Sequence, residues 1–173
     1  MQIKGDKIIL SAITSSDKDY FYTIATKSYG AKFWYDDIKR EKRSKIAFFN
    51  DWTEGYFDPK KPKEGQCFWI MVQGKKIGVI AYNKIDEHNN AEIDIIIADE
   101  EDMNKGYGTD AIKTLCEFLL KKLKVNKAWI EARMNNPRAI KAYQKAGFKK
   151  EKILEKKDFF QGEFVDCIRL EMH

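Results

Sequence analysis

Residues 91–112 read "AEIDIIIADEEDMNKGYGTDAI", and the fold turns on them. The first half alternates acid with isoleucine and then runs three isoleucines together. That pattern describes a strand half-covered at its start and buried on both faces at its end. In the second half two glycines flank a tyrosine. Ile112, Leu115, Cys116, Leu119 and Leu123 then recur at three- and four-residue spacing, the apolar face of a helix. A buried strand therefore passes through a glycine turn into a helix. The first turn of a helix has unpaired backbone N–H groups and roughly half a positive charge. Glycine lets such a backbone approach a ligand and adopt positive φ. Asn104, Lys105, Gly106, Tyr107, Gly108 and Thr109 thus read as a cradle for a phosphate or diphosphate, although a plain strand-to-helix turn fits the same residues. Two nucleotide motifs are excluded. Gly108-Thr109-Asp110 lacks the Lys–Ser/Thr pair of a P-loop, and Ala111 breaks GxGxxG.

Working outward, "GDKIILSAI" reads as an opening strand, and Thr14, Ser15 or Ser16 cap a helix that carries Tyr20 and Ile24. A second helical stretch covers about 36–49, and Pro59, Pro62, Gly55 and Gly65 make 53–65 a loop. "QCFWIMVQ" and "KKIGVIAYNKI" form a hairpin around Gly74, with Gly78 marking a bulge. Downstream, "KAWIEARM" (127–134) is a strand. "NNPRAIKAYQKAGF" (135–148) is a helix opened by Pro137 and closed by Gly147. The tail "KILEKKDFFQGEFVDCIRLEM" makes a last hairpin near Gln161–Gly162. The order is α+β in one domain, 1–173, without repeats.

The bulk numbers narrow the class. With 173 residues, 43% hydrophobic and 34% charged, the chain can bury a core. No apolar run nears the roughly 18 residues of a membrane span, and the N-terminus lacks a secretory apolar region, so a cytoplasmic location without a membrane partner is expected. Cys67, Cys116 and Cys167 are isolated within apolar patterns, and His88 and His173 pair with nothing at ligand spacing; neither a disulfide nor a metal is expected. The net charge is +5, but its basic runs are interleaved with Glu and read as solvated faces. Nucleic acid is not expected as a partner, whereas a phosphate-bearing ligand suits the balance.

The second helix adds to the cradle. Asn136, Ala139 and Tyr143 share one of its faces. If strands 91–98 and 127–133 are parallel neighbours, both helix starts emerge at the same sheet edge, where ligands of open α/β sheets lie. Asn136 would then reach the ligand and Tyr143 its reactive end. Alone, such a tyrosine more often packs the core.

These residues together resemble the GNAT superfamily of acetyl-CoA-dependent N-acetyltransferases. The family's Q/R-x-x-G-x-G/A turn is similar to Met103 through Gly108, and its Asn-x-x-Ala-x-x-x-Tyr…Gly-Phe element to Asn136, Ala139, Tyr143, Gly147 and Phe148. Within the superfamily, "NNPRAIKAYQKAGF", "GEFVDCIRLEM" and Asp94, 12 residues before Gly106, are similar to aminoglycoside 6'-N-acetyltransferases. One position departs: Met103 stands where Gln or Arg is usual.

The resemblance implies a mixed, mostly antiparallel sheet splayed at a central parallel strand pair and flanked by helices, acting as a monomer or homodimer. It implies acetyl-CoA as cofactor, its pantetheine arm on the backbone of Ile96 and Ile97 and its diphosphate on residues 104–109, near Asn136 and Ala139. A primary amine would attack the thioester directly. An amine of pKa near 9 pays about 2–3 kcal/mol to be neutral at pH 7. Asp94 would accept its proton or orient it, with Glu92 on the same strand face as an alternative or aid. Tyr143 would protonate the departing thiolate. Each acid also fits a solvent-facing alternation. For a polycationic small-molecule acceptor of aminoglycoside type the expected pocket is acidic, from Asp36, Asp37, Asp51, Glu54, Glu87, Glu92 and Asp94. Its walls would be Trp34, Tyr35, Trp52, Tyr56 and Phe57. A helix end packed on the core explains "AFFNDWTEGYF" equally well. Alternatives are an acetyltransferase of protein N-termini and a non-catalytic acyl-CoA-binding module.

Overall fold

The computed structural model describes residues 1–34 and 44–173. Among these residues eight strands form one sheet: β1 (Gln2–Lys4), β2 (Ile9–Ala12), β3 (Gln66–Val72), β4 (Lys75–Tyr82), β5 (Asn90–Ile97), β6 (Lys127–Arg133), β7 (Lys149–Phe160) and β8 (Glu163–Met172). Their spatial order is β1-β2-β3-β4-β5-β6-β8-β7. Every neighbouring pair is antiparallel except β5 with β6. That parallel pair is also the shortest join at the centre: register runs only from Asn90↔Lys127 to Glu92↔Trp129. Beyond it the strands part, while β5 stays on β4 as far as Gly78↔Ile97 and β6 stays on β8 as far as Arg133↔Cys167. The sheet is split like a V.

Four helices among the described residues cover it: α1 (Lys18–Lys27), α2 (Lys45–Phe49), α3 (Tyr107–Lys121) and α4 (Pro137–Ala146). Strand alternation divides the core between the two faces. Phe68 and Ile70 of β3 pack with Ile93, Ile130, Ile112, Leu115 and Leu119 beneath α3 and α4. Cys67 and Trp69 of the same strand pack with Phe21, Ile24, Phe48 and Ile96 beneath α1 and α2. Each fully buried leucine or isoleucine contributes about 1.5–3 kcal/mol.

The local signals place the turns. Gln73 and Gly74 both have positive φ (47° and 81°), which is what a two-residue hairpin requires. Gly147 closes α4 at φ 111°. The β3–β4 register slips where Ile70↔Gly78 gives way to Met71↔Lys76, so the bulged residue is Ile77, next to Gly78. Glycine is needed there because an added Cβ would lie 2.1 Å from the Ile96 carbonyl oxygen.

Three expectations change. "GDKIILSAI" is not one strand: Gly5–Ile8 forms the turn between β1 and β2, held by a carboxylate of α3 described below. Tyr20 faces outward at 45% exposure, and the buried face of α1 is Phe21, Ile24 and Ala25. The second helix is seen only as Lys45–Phe49, capped by Ser44 Oγ accepting from the Ala47 amide at 3.2 Å; its expected start lies outside the described residues.

Candidate active site

The open end of the V holds a cavity of about 910 Å³. Its floor is the stretch Asp94–Ile97 on one side and Ile130–Arg133 on the other. Glycine-turn residues Asn104, Gly106, Gly108 and Thr109 line it, as do Asn136, Ala139 and Tyr143 of the second motif. Two motifs about thirty residues apart in sequence thus meet because parallel β5 and β6 deliver both helix starts to one edge.

At the turn, Gly106 adopts φ 84°, a conformation costly for any side chain. The first backbone hydrogen bond of α3 runs from the Asp110 amide to the Gly106 carbonyl at 3.0 Å. Among the described residues, the amides of 104–109 have no protein acceptor, so they remain available to an anion. A diphosphate fits this set of donors. Lys105 and Tyr107 contribute backbone only: the Lys105 ammonium turns to Asp102 at 3.7 Å, and Tyr107 packs on the core.

The strand edge supplies the next donors and acceptors. The Glu92 carbonyl accepts from the Asn83 amide (2.8 Å) and the Ala98 amide donates to the Ile77 carbonyl (2.8 Å), so even-numbered residues of β5 spend their backbone on β4. Odd-numbered residues face the gap. Ile97 accordingly presents its amide to the cavity; Ile96 does not, because its backbone pairs with Val79 and its side chain is buried beneath α1. Ile95 takes the place expected of Ile96. The parity of a strand edge is invisible until register is known.

The carboxylates lie on the other face. Glu92 and Asp94 of β5 and Glu131 of β6 all point away from α3 and α4, toward the α1 side, and Asp94 opens partly into the cavity. Burial raises the Asp94 carboxyl to about 7, with Glu92 and Glu131 adding repulsion. Glu92 is raised as well, chiefly by burial, and the Asn83 Nδ2 donating to it at 2.9 Å opposes the rise. Asn83 is itself held by the Tyr56 hydroxyl at 3.0 Å. Arg169 donates to Glu131 at 2.6 and 3.0 Å and lies 4.0 Å from the Trp129 ring centroid. Tyr143 comes from the opposite face. Burial pushes its phenol upward, Asp94 adds to this, and Arg138 opposes it. Tyr143 thus feels the charge of Asp94 across the split of the sheet.

Asn136 lines the cavity and also caps α4, its Oδ1 accepting from the Ala139 amide at 3.3 Å. Of the expected acceptor residues that are described, Trp34 and Asp94 line the cavity, Trp34 being stacked on Trp52 at 6.2 Å. Tyr35, Asp36 and Asp37 lie outside the described residues. Trp52 sits among Phe21, Phe48 and Phe57, which makes it core packing, and Glu54 is exposed and paired with Lys18 at 2.5 Å. Asp51 is exposed and, with Trp52 and Glu54, stands away from the cavity lining.

The sequence reading passed over three residues. Glu131 completes the carboxylate group; its polar alternation in "AWIEAR" was the available signal. Asp110 accepts backbone amides from Lys7 (2.7 Å), Ile8 (3.2 Å) and Asp6 (3.3 Å), tying the first hairpin to the glycine turn. Arg133 bonds Asp158 (2.6 Å) and the carbonyls of Phe33 (2.7 Å) and Trp34 (3.3 Å), closing the far rim.

Comparison with known proteins agrees with this geometry. Residues 7–149 match the acetyltransferase (GNAT) domain family. A spermidine N(1)-acetyltransferase of Vibrio cholerae is 29% identical over 168 residues, covering 96% of this chain and 92% of that protein. An aminoglycoside N(6')-acetyltransferase type 1 of Klebsiella pneumoniae is 27% identical over 159 residues, covering 85% and 76%. In fold, the chain is similar to the crystal structure of the V. cholerae spermidine N-acetyltransferase in complex with CoA and spermine, with a TM-score of 0.78 at 21% identity over 96% of this chain and 95% of that one.

Proposed function

Since the chain belongs to the GNAT family, uses acetyl-CoA and acts on amines, we propose that its acceptor is a small polycation carrying a primary amine, polyamine-like or aminoglycoside-like. One observation supports this most: Glu92, Asp94 and Glu131 share one sheet face, and their mutual repulsion helps to hold Asp94 near 7. A substrate with several positive charges relieves that repulsion on binding.

The division of labour follows from the two faces. Acetyl-CoA supplies an activated thioester whose acetyl carbon an amine attacks. The amides of 104–109 hold its diphosphate and the odd-numbered edge of β5 its pantetheine arm. Asp94, titrating close to neutral pH, accepts the proton that the ammonium must lose. Tyr143 stands on the cofactor side, where the leaving sulfur needs a proton. Its raised phenol is protonated at neutral pH, as a donor must be. Trp34 offers a wall to the acceptor's apolar segments.

Thiol release from acetyl-CoA tests the reading against spermidine, diamines, aminoglycosides and N-terminal peptides. Turnover on a polyamine or aminoglycoside is expected. Tyr143→Phe should lower kcat by about 100-fold while CoA affinity holds. Turnover on peptides alone would assign the chain to protein modification, and thiol release with none of these amines would leave only cofactor binding.

A further inference from the structure

We propose that Arg138, brought in from the start of α4, grips the cofactor's diphosphate in place of the side chain that position 103 does not supply. Met103 opens the glycine turn, is nearly buried, and ends in a thioether that cannot donate a hydrogen bond. Arg138 is the residue after Pro137, in the first turn of α4, and its Nη1 lies 2.7 Å from the Met103 sulfur. The guanidinium also lies 4.6 Å from the Phe33 ring centroid. The charge is therefore parked on the side chain at the mouth of the anion cradle.

What it touches there is poor at accepting. A guanidinium has five N–H donors. Among the described residues, one meets a sulfur and none meets a carboxylate or carbonyl. Nearby Asp102 does not take them, being occupied by Lys75 at 3.1 Å and Lys105 at 3.7 Å. The contrast with Arg133, spent on Asp158 and two carbonyls, is direct. Arg138 lines the cavity with Met103, Asn104, Gly106, Gly108 and Thr109, so its remaining donors and the free amides address one volume. Its field is felt at Tyr143, so the charge, though solvent-exposed, stands beside the site. A planar fork suits two oxygens of a phosphoryl group, whereas sulfur uses one prong. The stack on Phe33 holds the fork in orientation before ligand arrives.

The inference rests on the acetyl-CoA reading but needs no acceptor, so binding tests it. Calorimetry with CoA, 3'-dephospho-CoA and pantetheine separates the diphosphate from the 3'-phosphate and from the arm. Arg138→Gln should weaken CoA and 3'-dephospho-CoA by the same factor, about 10- to 100-fold, and leave pantetheine unchanged. Arg138→Lys should fall between, since a point charge replaces the fork. Adding Met103→Arg to Arg138→Met should recover part of the loss. Equal weakening of pantetheine would make the residue structural, loss confined to CoA would move it to the 3'-phosphate, and no loss, or no recovery in the swap, would equally overturn the proposal. A variant with retained melting temperature keeps the comparison sound, and failure of the acetyl-CoA reading would show instead as no CoA binding by the unaltered protein.

Discussion

Asp94→Asn is expected to stabilise the protein above neutral pH while disabling it. The carboxyl is raised from 3.8 to about 7, so between those values the folded protein keeps a proton that the unfolded chain has released. The part of the stability that depends on Asp94 therefore falls as pH rises through that window, and is lowest above about pH 7. Roughly three units at 1.36 kcal/mol each set a ceiling of about 4 kcal/mol. The side chain opens partly to the cavity and water tempers the cost, so about 2 kcal/mol is the expected gain. The assay is urea unfolding of both proteins at intervals from pH 4 to 9, read as a difference so that every other titrating group cancels. The difference should be near zero at pH 4, grow through pH 5–7 and level off above. In parallel, the unaltered enzyme's rate should rise with pH through about 7, and the variant should lose that limb with a 100-fold or greater fall in turnover. A stability difference that is constant across the range would refute the reasoning, as would an intact limb in the variant.

Two further outcomes follow from the turn. Gly106→Ala forces a Cβ onto a residue at φ 84° and to 3.2 Å from the Lys7 ammonium. It should cost about 1–2 kcal/mol in unfolding free energy and raise the CoA dissociation constant more than tenfold, both readable by calorimetry. Asp110→Ala orphans three backbone amides of the first hairpin and should cost about 1–3 kcal/mol, with hydrogen exchange at Lys7 and Ile8 accelerated well beyond that of β3.

What sequence could reveal divides along the range of the interactions. Gly74, Pro137 and Gly147 act on neighbours in the chain, so hairpin, helix start and helix end were legible from residue type alone. The meeting of the glycine turn with Tyr143 was legible because parallel strands followed by helices deliver their ends to one edge. The Asp110 tie was not, since its partners lie more than a hundred residues away. Trp52 was misassigned for a related reason: an aromatic beside acids looks like a pocket wall until Phe21, far upstream, is found edge-on to it at 5.0 Å. Glu131 and Arg138 needed tertiary context, one the register across the V and the other the coincidence of α4's first turn with Met103.

The three-residue join between β5 and β6 has a mechanical consequence. The molecule is two half-sheets hinged at Glu92 and Trp129, and the groups proposed to react, Asp94 and Tyr143, line the cavity where the hinge opens, with Glu131 on the other half. An extended arm laid along Ile95 and Ile97 would act as a splint across that hinge, fixing how far apart the halves stand. The acidic face would then take its final spacing only once the splint is in place, which favours an order of events: cofactor first, amine second.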